Sequence, residues 1–468
     1  MTSDTAAGTA PIGIDDIELA TSHHVVRLDD FARANETDPA KFRLGLGQDE
    51  FSFPAPDEDV VTMAAAAVAR IIERSGTEGI RTMLFATESG TDQSKAAGMA
   101  VHSLLDLPSQ MRIVEVKEAC YSATAALQAA VGIVTRSPEQ RVLVIASDVA
   151  RYELDTAGEP TQGAGAVAML VSADPKLLEI EPVSGLNSAD VNDFWRPNDS
   201  TTAIVDGALS VTAYLDALTG AWTDLAAQGG PTMAEIDRVL YHQPFTKMAK
   251  KAQVHLAGLT GEDLDTEIVT GAGIAGSGAG TTSAGSDAGG AVPSGAAADG
   301  AAAAGVVPSA SASAGPATVA SAEAAPATAA SAASDSGPTV PRDTGLATST
   351  LYNRRLGNSY TASLYAGLCS LLDHDEDLAS KRIGLFSYGS GSVGEFLTAR
   401  VVPGYERHSR RRAVTAALDA RVPLSIDAYR ALHSAELPSA EDVSTPKVTT
   451  GPFRFAGIKG RARVYERA

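Results

Sequence analysis

Cysteine and positive charge are scarce in this chain, and both shortages narrow its possible functions. Only two cysteines occur among 468 residues, so the chain cannot carry a disulfide framework, and we expect a reducing, cytoplasmic location. Lysine and arginine number 37 against 57 aspartates and glutamates, which gives a formal charge of −20. That charge repels nucleic acid and anionic membranes, so we expect neither as a partner.

Several other signals are missing. No apolar run reaches the roughly 18 residues needed to cross a bilayer, and the opening "MTSDTAAGTAPIG" lacks the basic start and apolar core of a signal peptide. The histidines and carboxylates show no ligand spacing such as H-E-x-x-H, so we expect no metal. The glycines of "GAGAVAM" lack the following helix and acidic partner of a dinucleotide fingerprint, so we expect no cofactor.

Short apolar runs alternate with amphipathic stretches, which predicts an α/β architecture with parallel strands and crossover helices. In the first part, strands are predicted from "RTMLFATES", "RIVEVKE", "RVLVIASDVA" and "GAGAVAMLVSA", and helices from "QSKAAGMAVHSLLDL" and "CYSATAALQAAVGIVTR". A similar rhythm returns with the strands "DRVLYHQP", "RIGLFSYGSG" and "GEFLTARVV" and the helices "TKMAKKAQVHLAGL" and "NSYTASLYAGLCSLLD". We therefore predict two halves on one plan, residues 1–172 and 173–468.

An insertion of distinct composition interrupts the second half between residues 271 and 345. Alanine, glycine, serine, threonine and proline dominate it, aromatic residues are absent and charges are sparse. Such a segment buries too little apolar surface to offset the backbone entropy lost on folding. We interpret it as a disordered surface insertion, either a tolerated loop expansion or a functional tether.

The stretch "VEVKEACYSATAAL" places one of the two cysteines where a predicted strand turns into a predicted helix. At the N-terminus of a helix, Cys120 meets unpaired N–H groups and the positive end of the helix dipole. Both lower the pKa of a thiol and favour thiolate, so Cys120 is a candidate nucleophile. A small core cysteine is the alternative interpretation, because buried free cysteines are common.

Glu88 lies at the end of the predicted strand "MLFATES", His242 follows "RVLY", and both are further candidates for chemistry. Burial at a strand end raises the pKa of a carboxyl toward neutrality, which suits Glu88 to general acid–base work. Each residue also has a structural alternative, as a satisfied strand-end carboxylate or as a hydrogen-bonded core histidine.

Candidates for substrate binding have structural alternatives as well. Asn358 can cap a helix, and Tyr152 can be a half-buried packing residue. Lys247 and Lys251 lie four residues apart on one helix face, either as a basic patch or as a solvated surface. The glycines of "YGSGS" either let backbone approach a ligand closely or simply end a strand.

Many segments resemble, in order, those of the hydroxymethylglutaryl-CoA synthases, a family of the thiolase superfamily. They are "KFRLGLGQDE", "ATESGTDQSKAAG", "KEACYSATAALQ", "VIASDVARY", "EPTQGAGAVAM", "DFWRP", "VDGALS", "HQPFTKMAKKA", "GNSYTASLY" and "LFSYGSGSVGEF". The resemblance runs from about Gly13 to past Val402 and is interrupted by the insertion. It implies a duplicated, five-layer αβαβα thiolase-like fold, active-site residues from both halves, and a homodimer.

The resemblance also implies a reaction. The family condenses acetyl-CoA with acetoacetyl-CoA and water to give 3-hydroxy-3-methylglutaryl-CoA and free CoA, the first committed step of the mevalonate (isoprenoid) pathway. In that reaction Cys120 is the residue that becomes acetylated. Glu88 removes a methyl proton from the acetyl group, and His242 helps bind acetoacetyl-CoA and polarises its ketone.

Roles in substrate binding are implied in the same way. The backbone amides of Cys120 and Ser390 form an oxyanion site, with Gly389 flanking Ser390 in the glycine-rich turn. Asn358 lies near the acetoacetyl thioester, and Tyr152 lies near the acetyl group. CoA thioesters are thus substrates, and no separate cofactor is implied.

Related condensing enzymes are the nearest alternatives. Thiolases place a second cysteine near the C-terminal glycine-rich turn, but "SYGSGSVGEF" contains none, and Cys369 lies in an apolar helical run typical of core. Ketoacyl synthase III-like enzymes share the Cys, His and Asn residues. They generate their carbanion by decarboxylation and therefore need no base such as Glu88.

Two further possibilities stay open. A polyketide β-branching synthase performs the same chemistry on acyl groups bound to a carrier protein. The family reading of Lys247 and Lys251, contact with CoA phosphates, favours free CoA instead. A non-enzymatic reading makes the insertion the operative part and the folded domain a scaffold.

Overall fold

The computed structural model describes residues 10–269, 340–435 and 441–468. The strands of these residues are β1 (Ile12–Thr21), β2 (His24–Arg27), β3 (Glu50–Phe53), β4 (Ile80–Ala86), β5 (Arg112–Val116), β6 (Arg141–Ala150), β7 (Gly163–Ala173), β8 (Leu178–Ser188), β9 (Phe194–Trp195), β10 (Ile204–Val205), β11 (Arg238–Tyr241), β12 (Arg382–Gly389), β13 (Val393–Val401), β14 (Val422–Pro423), β15 (Val443–Ser444), β16 (Phe453–Lys459) and β17 (Ala462–Arg467). The helices are α1 (Leu28–Ala34), α2 (Ala40–Gly45), α3 (Val60–Ser75), α4 (Gly98–Leu104), α5 (Ser122–Arg136), α6 (Gly207–Ala227), α7 (Thr246–Thr260), α8 (Leu346–Ser349), α9 (Asn353–Leu356), α10 (Ser363–His374), α11 (Arg411–Asp419) and α12 (Ile426–His433). Short 3-10 helices occur at Glu159–Thr161, Met233–Glu235, Tyr360–Ala362 and Tyr405–His408.

A mixed sheet runs through the described residues in the order β11-β12-β13-β8-β1-β7-β6-β4-β5. Antiparallel pairing of β1 with β8 joins a first half-sheet to a second one. Outward from this junction, the first half-sheet is β1, β7, β6, β4 and β5, and the second is β8, β13, β12 and β11. In both, the inner pairs are antiparallel, and the outer pairs β6–β4, β4–β5 and β12–β11 are parallel.

The predicted parallel arrangement is wrong for the inner strands. β6 and β7 are antiparallel, with only a 3-10 helix between them, and β12 and β13 form a hairpin across residues 390–392. Antiparallel neighbours can be joined by a short turn, whereas parallel neighbours need a crossover of about a dozen residues or more. The connection between β12 and β13 is therefore too short for a crossover, whereas residues 151–162 between β6 and β7 contain a 3-10 helix and no crossover α-helix.

Three apolar cores define the layers. The central helices α5 and α10 lie between the half-sheets, where Leu127 and Leu368 share a core with Val144 of β6 and Leu385 of β12. Helices α3 and α4 cover the outer face of the first half-sheet, and α6 and α7 cover the outer face of the second. The predicted five-layer αβαβα arrangement is thereby confirmed, and Cys369 of α10 lies in the central core as predicted.

Strand β6 shows why its sequence is apolar without a break. Val142, Val144 and Ala146 face the central core, whereas Leu143 and Ile145 face the outer one. Successive side chains of a strand point to opposite faces, so a strand covered on both sides is apolar at every position. Polar side chains are then left for the strand ends, where the candidate residues lie.

The second half differs from prediction at two places. The predicted insertion, residues 271–345, lies outside the described residues up to 339, but residues 341–345 belong to the fold. Thr344 is fully buried, and the guanidinium of Arg342 donates to the carbonyl of Ile236 over 2.6 Å. The small sheets β14-β2-β3 and β15-β16-β17 were not predicted. None of the helices in the described ranges has the length and apolarity that a bilayer crossing requires.

Candidate active site

Two candidate residues lie beyond the carboxyl ends of adjacent strands. Glu88 follows β4, Cys120 follows β5, and these strands are parallel neighbours. Because parallel strands end at the same edge of a sheet, both side chains lie at that edge. The Cys120 thiol donates a hydrogen bond to Oε1 of Glu88 over 3.1 Å. The structure therefore brings the predicted nucleophile and the predicted base into contact.

Cys120 lies in a tight turn before α5. The preceding Ala119 has φ +39°, a left-handed conformation that is uncommon for residues other than glycine. Desolvation, followed by the negative charge of Glu88, raises the pKa of the thiol well above its usual value. The prediction of a thiolate is therefore wrong for the free site, because these two effects outweigh the helix N-terminus, which begins only at Ser122.

Glu88 has the raised pKa that its strand-end position predicted. Burial, reinforced by the charge of Asp148, raises the pKa of Glu88 to about 8. The guanidinium of Arg196 donates a hydrogen bond to the backbone carbonyl of Glu88. A carboxyl with a pKa near neutrality can accept a proton and return it at physiological pH.

Asp148, near the end of β6, holds the Glu88 segment in place. It is fully buried, and its Oδ1 accepts hydrogen bonds from the Glu88 amide over 2.9 Å and from the Thr87 hydroxyl over 2.7 Å. Its Oδ2 accepts from the Thr361 amide over 3.1 Å. One carboxylate thus ties the strand end that carries Glu88 to a turn of the second half.

Tyr152 and Asn358 lie together beside Cys120. The side-chain amide of Asn358 donates to the Tyr152 hydroxyl over 3.1 Å, and its Oδ1 accepts from the Tyr360 amide over 2.9 Å. The rings of Tyr152, Tyr360 and Phe194 contact one another edge to face, and Cys120 packs against this group. Asn358 is not the cap that its structural alternative predicted, because Ser359 is the N-cap residue of the short 3-10 helix. Asn358 lies one residue earlier and close to the thiol.

The turn between β12 and β13 carries Ser390 to the Cys120 segment. A Cβ atom on Gly389 would lie 2.6 Å from the carbonyl oxygen of Glu118 and 2.7 Å from the amide nitrogen of Tyr121. Only glycine permits this approach of the two backbones. Ser390 thus follows a residue in direct contact with the turn that carries Cys120.

His242 directly follows β11 and is buried. Because β11 and β12 are parallel neighbours, His242 lies at the edge of the sheet where β12 leads into the Ser390 turn. Its carbonyl accepts a hydrogen bond from the Tyr214 hydroxyl over 2.8 Å. Burial lowers the pKa of the imidazole to about 3, so at physiological pH the ring is neutral and retains one N–H donor.

Lys247 and Lys251 lie on α7, away from the contacts that join the other candidates. The Lys247 ammonium donates to the Leu44 carbonyl at the end of α2 over 3.0 Å. Lys251 is exposed, with its ammonium 5.7 Å from the centre of the Phe245 ring. The two lysines are placed on one helix face, as predicted, but no contact links them to Cys120.

Sequence analysis did not single out Asp148, Asp193 or Tyr360. The carboxylate of Asp193 accepts hydrogen bonds from the Tyr388 hydroxyl over 2.9 Å and from the Gly391 amide over 3.1 Å, so it orders the turn around Ser390. Asp148 carried the same signal as Glu88, a charged residue near the end of an apolar strand. Among the described residues, no group of histidine, cysteine and carboxylate side chains could hold a metal ion.

Comparison with known proteins gives a consistent family. The model for the hydroxymethylglutaryl-coenzyme A synthase N-terminal part matches residues 9–176, and the model for the C-terminal part matches residues 179–266 and 342–435.

Individual relatives agree with the family models. A hydroxymethylglutaryl-CoA synthase of Enterococcus faecalis is 34% identical over 97% of this chain and 99% of its own length. A polyketide-biosynthesis 3-hydroxy-3-methylglutaryl-ACP synthase of Bacillus subtilis is 27% identical over 86% of this chain and 83% of its own length.

Solved structures extend the comparison to the fold. A crystal structure of an HMG-CoA synthase complexed with CoA is 32% identical and superposes with a TM-score of 0.78 over 98% of this chain and 100% of its own. A complex with 3-hydroxy-3-methylglutaryl coenzyme A, also 32% identical, superposes with a TM-score of 0.75 over 98% of this chain and 99% of its own.

Proposed function

The chain belongs to the hydroxymethylglutaryl-CoA synthase family, and we propose how its residues divide the reaction of that family. The enzyme condenses acetyl-CoA with acetoacetyl-CoA and water, giving 3-hydroxy-3-methylglutaryl-CoA and free CoA. One observation carries the assignment of roles, the 3.1 Å hydrogen bond between Cys120 and Glu88. A nucleophile that holds an acetyl group and a base that strips its methyl proton must act within such a distance.

Acetyl transfer comes first. Because the pKa of Cys120 is raised, the thiol needs a base, and Glu88 accepts its proton as Sγ attacks the acetyl-CoA carbonyl. The amides of Cys120 and Ser390 bind the oxyanion of the tetrahedral intermediate. The bond between the acetyl carbon and the CoA sulfur breaks, and CoA leaves with the proton that Glu88 returns. Cys120 then carries the acetyl group in the apolar box of Tyr152, Tyr360 and Phe194.

Condensation uses the same carboxylate a second time. Glu88 removes a methyl proton from acetyl-Cys120, and the resulting carbanion attacks the ketone carbon of acetoacetyl-CoA. The neutral imidazole of His242 donates a hydrogen bond to the ketone oxygen, which becomes an alkoxide. Protonated Glu88 returns its proton to that alkoxide. Water then attacks the thioester to Cys120, the carbon–sulfur bond breaks, and the product leaves as Cys120 regains a proton.

Residues from both halves of the chain are assigned to substrate binding. Asn358 and Tyr152, joined by a hydrogen bond, contact the acyl thioesters near Cys120. Lys247 and Lys251 bind the phosphates of CoA at the exposed face of α7. We also infer that residues 1–172 and 173–468 are related halves, which the repeated strand order supports.

The oligomeric state, the cellular compartment and the pathway are also part of the proposal. Strand β5 is at the edge of the sheet and its Val114 is 43% exposed, which supports a homodimer that pairs through this edge. Both cysteines are free thiols, as expected in the cytoplasm. A synthase that acts on free CoA thioesters supplies the mevalonate pathway with its first committed intermediate.

A turnover assay with alternative substrates tests the proposal. Purified enzyme receives acetyl-CoA together with acetoacetyl-CoA, malonyl-CoA or acetoacetyl groups on a carrier protein, and products are identified by mass. We expect condensation with acetoacetyl-CoA and a covalent acetyl group on Cys120. Turnover with the carrier-bound acceptor alone supports the β-branching alternative, and decarboxylation of malonyl-CoA supports a ketoacyl synthase.

A further inference from the structure

A polar stripe runs along α5 from the residue next to the nucleophile. Tyr121, Thr124 and Gln128 are spaced by three and four residues, so their side chains lie on one face. The opposite side of the helix is apolar and packs into the central core through residues such as Ala126 and Leu127. Polar groups inside a molecule need hydrogen-bond partners, and the stripe finds them in the second half of the chain.

The partners lie on the hairpin that ends in the Ser390 turn. Ser387 of β12 and Glu395 of β13 are direct cross-strand neighbours. The Thr124 hydroxyl donates to the Ser387 hydroxyl over 2.8 Å. The Tyr121 hydroxyl donates to Oε2 of Glu395 over 2.7 Å, and the Gln128 amide donates to Oε1 over 2.6 Å. One pair of hairpin residues therefore clamps three positions of the nucleophile helix.

Glu395 is the centre of this clamp. Its side chain is buried, with 2% of the residue exposed, and each carboxylate oxygen accepts a hydrogen bond from an uncharged donor. One side chain thus links two positions of the nucleophile helix to the hairpin.

The clamp spans the two amides of the oxyanion site. One amide belongs to Cys120, directly before Tyr121, and the other belongs to Ser390, a few residues from Glu395 in the hairpin. Gly389 contacts the backbone around Tyr121, and backbone hydrogen bonds between Ser392 and Ala189 hold the far side of the turn. The hydrogen bonds of Glu395 add a side-chain link from the hairpin to the nucleophile helix. A misplacement of 1 Å at a reacting group can cost about 100-fold in rate.

We propose that Glu395 is a positioning residue that fixes the distance between the Cys120 and Ser390 amides through Tyr121 and Gln128. The inference rests on the oxyanion role that the proposed function gives to those two amides. Glu395 does not contact the substrate in this scheme. It acts on every step that forms a tetrahedral intermediate at the thioester of Cys120.

Single-turnover acetylation of the full-length enzyme tests the proposal. Glu395→Ala removes both hydrogen bonds, and Tyr121→Phe removes one while the ring stays. We expect acetylation to slow by about 10- to 100-fold in Glu395→Ala and less in Tyr121→Phe, with KM for acetyl-CoA unchanged. The double variant Glu395→Ala/Tyr121→Phe should be acetylated no more slowly than Glu395→Ala. Tyr121→Phe removes a hydrogen bond that Glu395→Ala has already removed. Glu395→Gln keeps an oxygen for Gln128 and should recover to within about threefold of wild type.

Two controls separate positioning from damage to the fold. Alkylation of Cys120 by iodoacetamide needs no oxyanion site, so its rate should stay at the wild-type value in Glu395→Ala and Tyr121→Phe. Tyr352→Phe removes a matched bond, from the Tyr352 hydroxyl to Asp373 over 2.7 Å, far from the nucleophile in the sequence. Tyr352→Phe should leave the rate of acetylation unchanged while lowering the melting temperature about as much as Tyr121→Phe does.

Three outcomes overturn the inference. They are wild-type acetylation in Tyr121→Phe and Glu395→Ala, alkylation that falls in parallel with acetylation, and an equal loss in Tyr352→Phe. Each leaves the proposed function intact, because wild-type condensation is measured separately. Failure of wild-type enzyme to become acetylated at all contradicts the proposed function instead.

Discussion

The corresponding strand ends of the two half-sheets carry opposite chemistry produced by one physical cause. β4 in the first half and β11 in the second are each a parallel neighbour of the strand one step nearer the junction, and they lead into Glu88 and His242. Burial raises the pKa of Glu88 to about 8 and lowers the pKa of His242 to about 3. Desolvation disfavours whichever form is charged, so an acid becomes weaker and a base becomes weaker.

The opposite pKa shifts suit the two strand ends to different proposed roles, acid–base chemistry at Glu88 and polarisation of a ketone at His242. Near pH 7 the Glu88 carboxyl is close to its pKa and exchanges a proton readily. The imidazole of His242 is far from its pKa and is neutral, which suits the proposed role as a hydrogen-bond donor. Only the first half carries the proposed nucleophile, because Cys120 follows β5, for which the described second half-sheet has no counterpart.

Replacement of Cys120, the proposed nucleophile, is expected to cause the largest loss of activity. Cys120→Ser is expected to abolish covalent acetylation and to lower kcat by at least about 10⁴-fold, because the thiol that forms the acetyl thioester is then absent. Intact mass after incubation with acetyl-CoA measures the modification. Cys369→Ala is the matched control: this thiol lies in the central core, so the variant should still gain one acetyl group. Acetylation of Cys120→Ser would refute the nucleophile assignment.

Glu88→Gln should separate the two reactions of the same carboxylate. The amide keeps the size of the side chain but accepts no proton, so condensation should fall by about 10²- to 10⁴-fold. Acetyl transfer should be slowed less, because CoA is a good leaving group and solvent can take the thiol proton. Rates from enzyme that is acetylated in advance and then mixed with acetoacetyl-CoA isolate the condensation step. Wild-type condensation in this variant contradicts the base assignment.

The pH profile should sharpen the contrast between the strand ends. Only ionised Glu88 can remove the methyl proton, so with a pKa of about 8 condensation should rise with pH and level off above it. Between pH 6 and pH 8 the ionised fraction grows by about 50-fold, and the rate of pre-acetylated enzyme should follow. His242 stays neutral throughout this range, so it should add no second inflection. A rate independent of pH from 6 to 8 contradicts the proposed base.

His242→Ala should affect the second half of the reaction alone. Loss of the donor to the acetoacetyl ketone is expected to lower condensation by about 10- to 100-fold and to raise KM for acetoacetyl-CoA, because one hydrogen bond to developing charge is lost. Acetylation of Cys120 should proceed at the wild-type rate. An equal loss in acetylation and condensation would place His242 in the first step and contradict its assignment to the second.

Much of this arrangement could be predicted from local sequence pattern. β6 and β7 have the predicted bounds, because apolar runs covered on both faces stand out from polar ends. Strand direction was harder: the three residues between β12 and β13 left no room for a crossover helix, yet the overall βα rhythm suggested parallel strands. The glycine-rich turn signalled a close approach, but which backbone Gly389 meets is decided by the packing of two halves.

Electrostatic environment was the least predictable property. A cysteine before a helix predicts a low thiol pKa, but the desolvated surroundings and then the Glu88 carboxylate reverse the direction of the shift. These neighbours come from separate strands, so spacing along the chain does not reveal them. The signal for Glu88 was better, because burial alone sets the direction for a carboxyl at the end of an apolar strand.

The smallest effect is expected at α7, where charge acts at a distance from the chemistry. Lys251→Ala should raise KM for acetyl-CoA by about two- to fivefold, because an exposed charge contributes at most about 1 kcal/mol to an ion pair. The effect should shrink between low and high salt as the phosphates are screened. Lys250→Ala, one residue away on a different side of the helix, is the matched control and should leave KM unchanged. Equal effects of both variants, or one that salt does not weaken, contradict phosphate binding by Lys251.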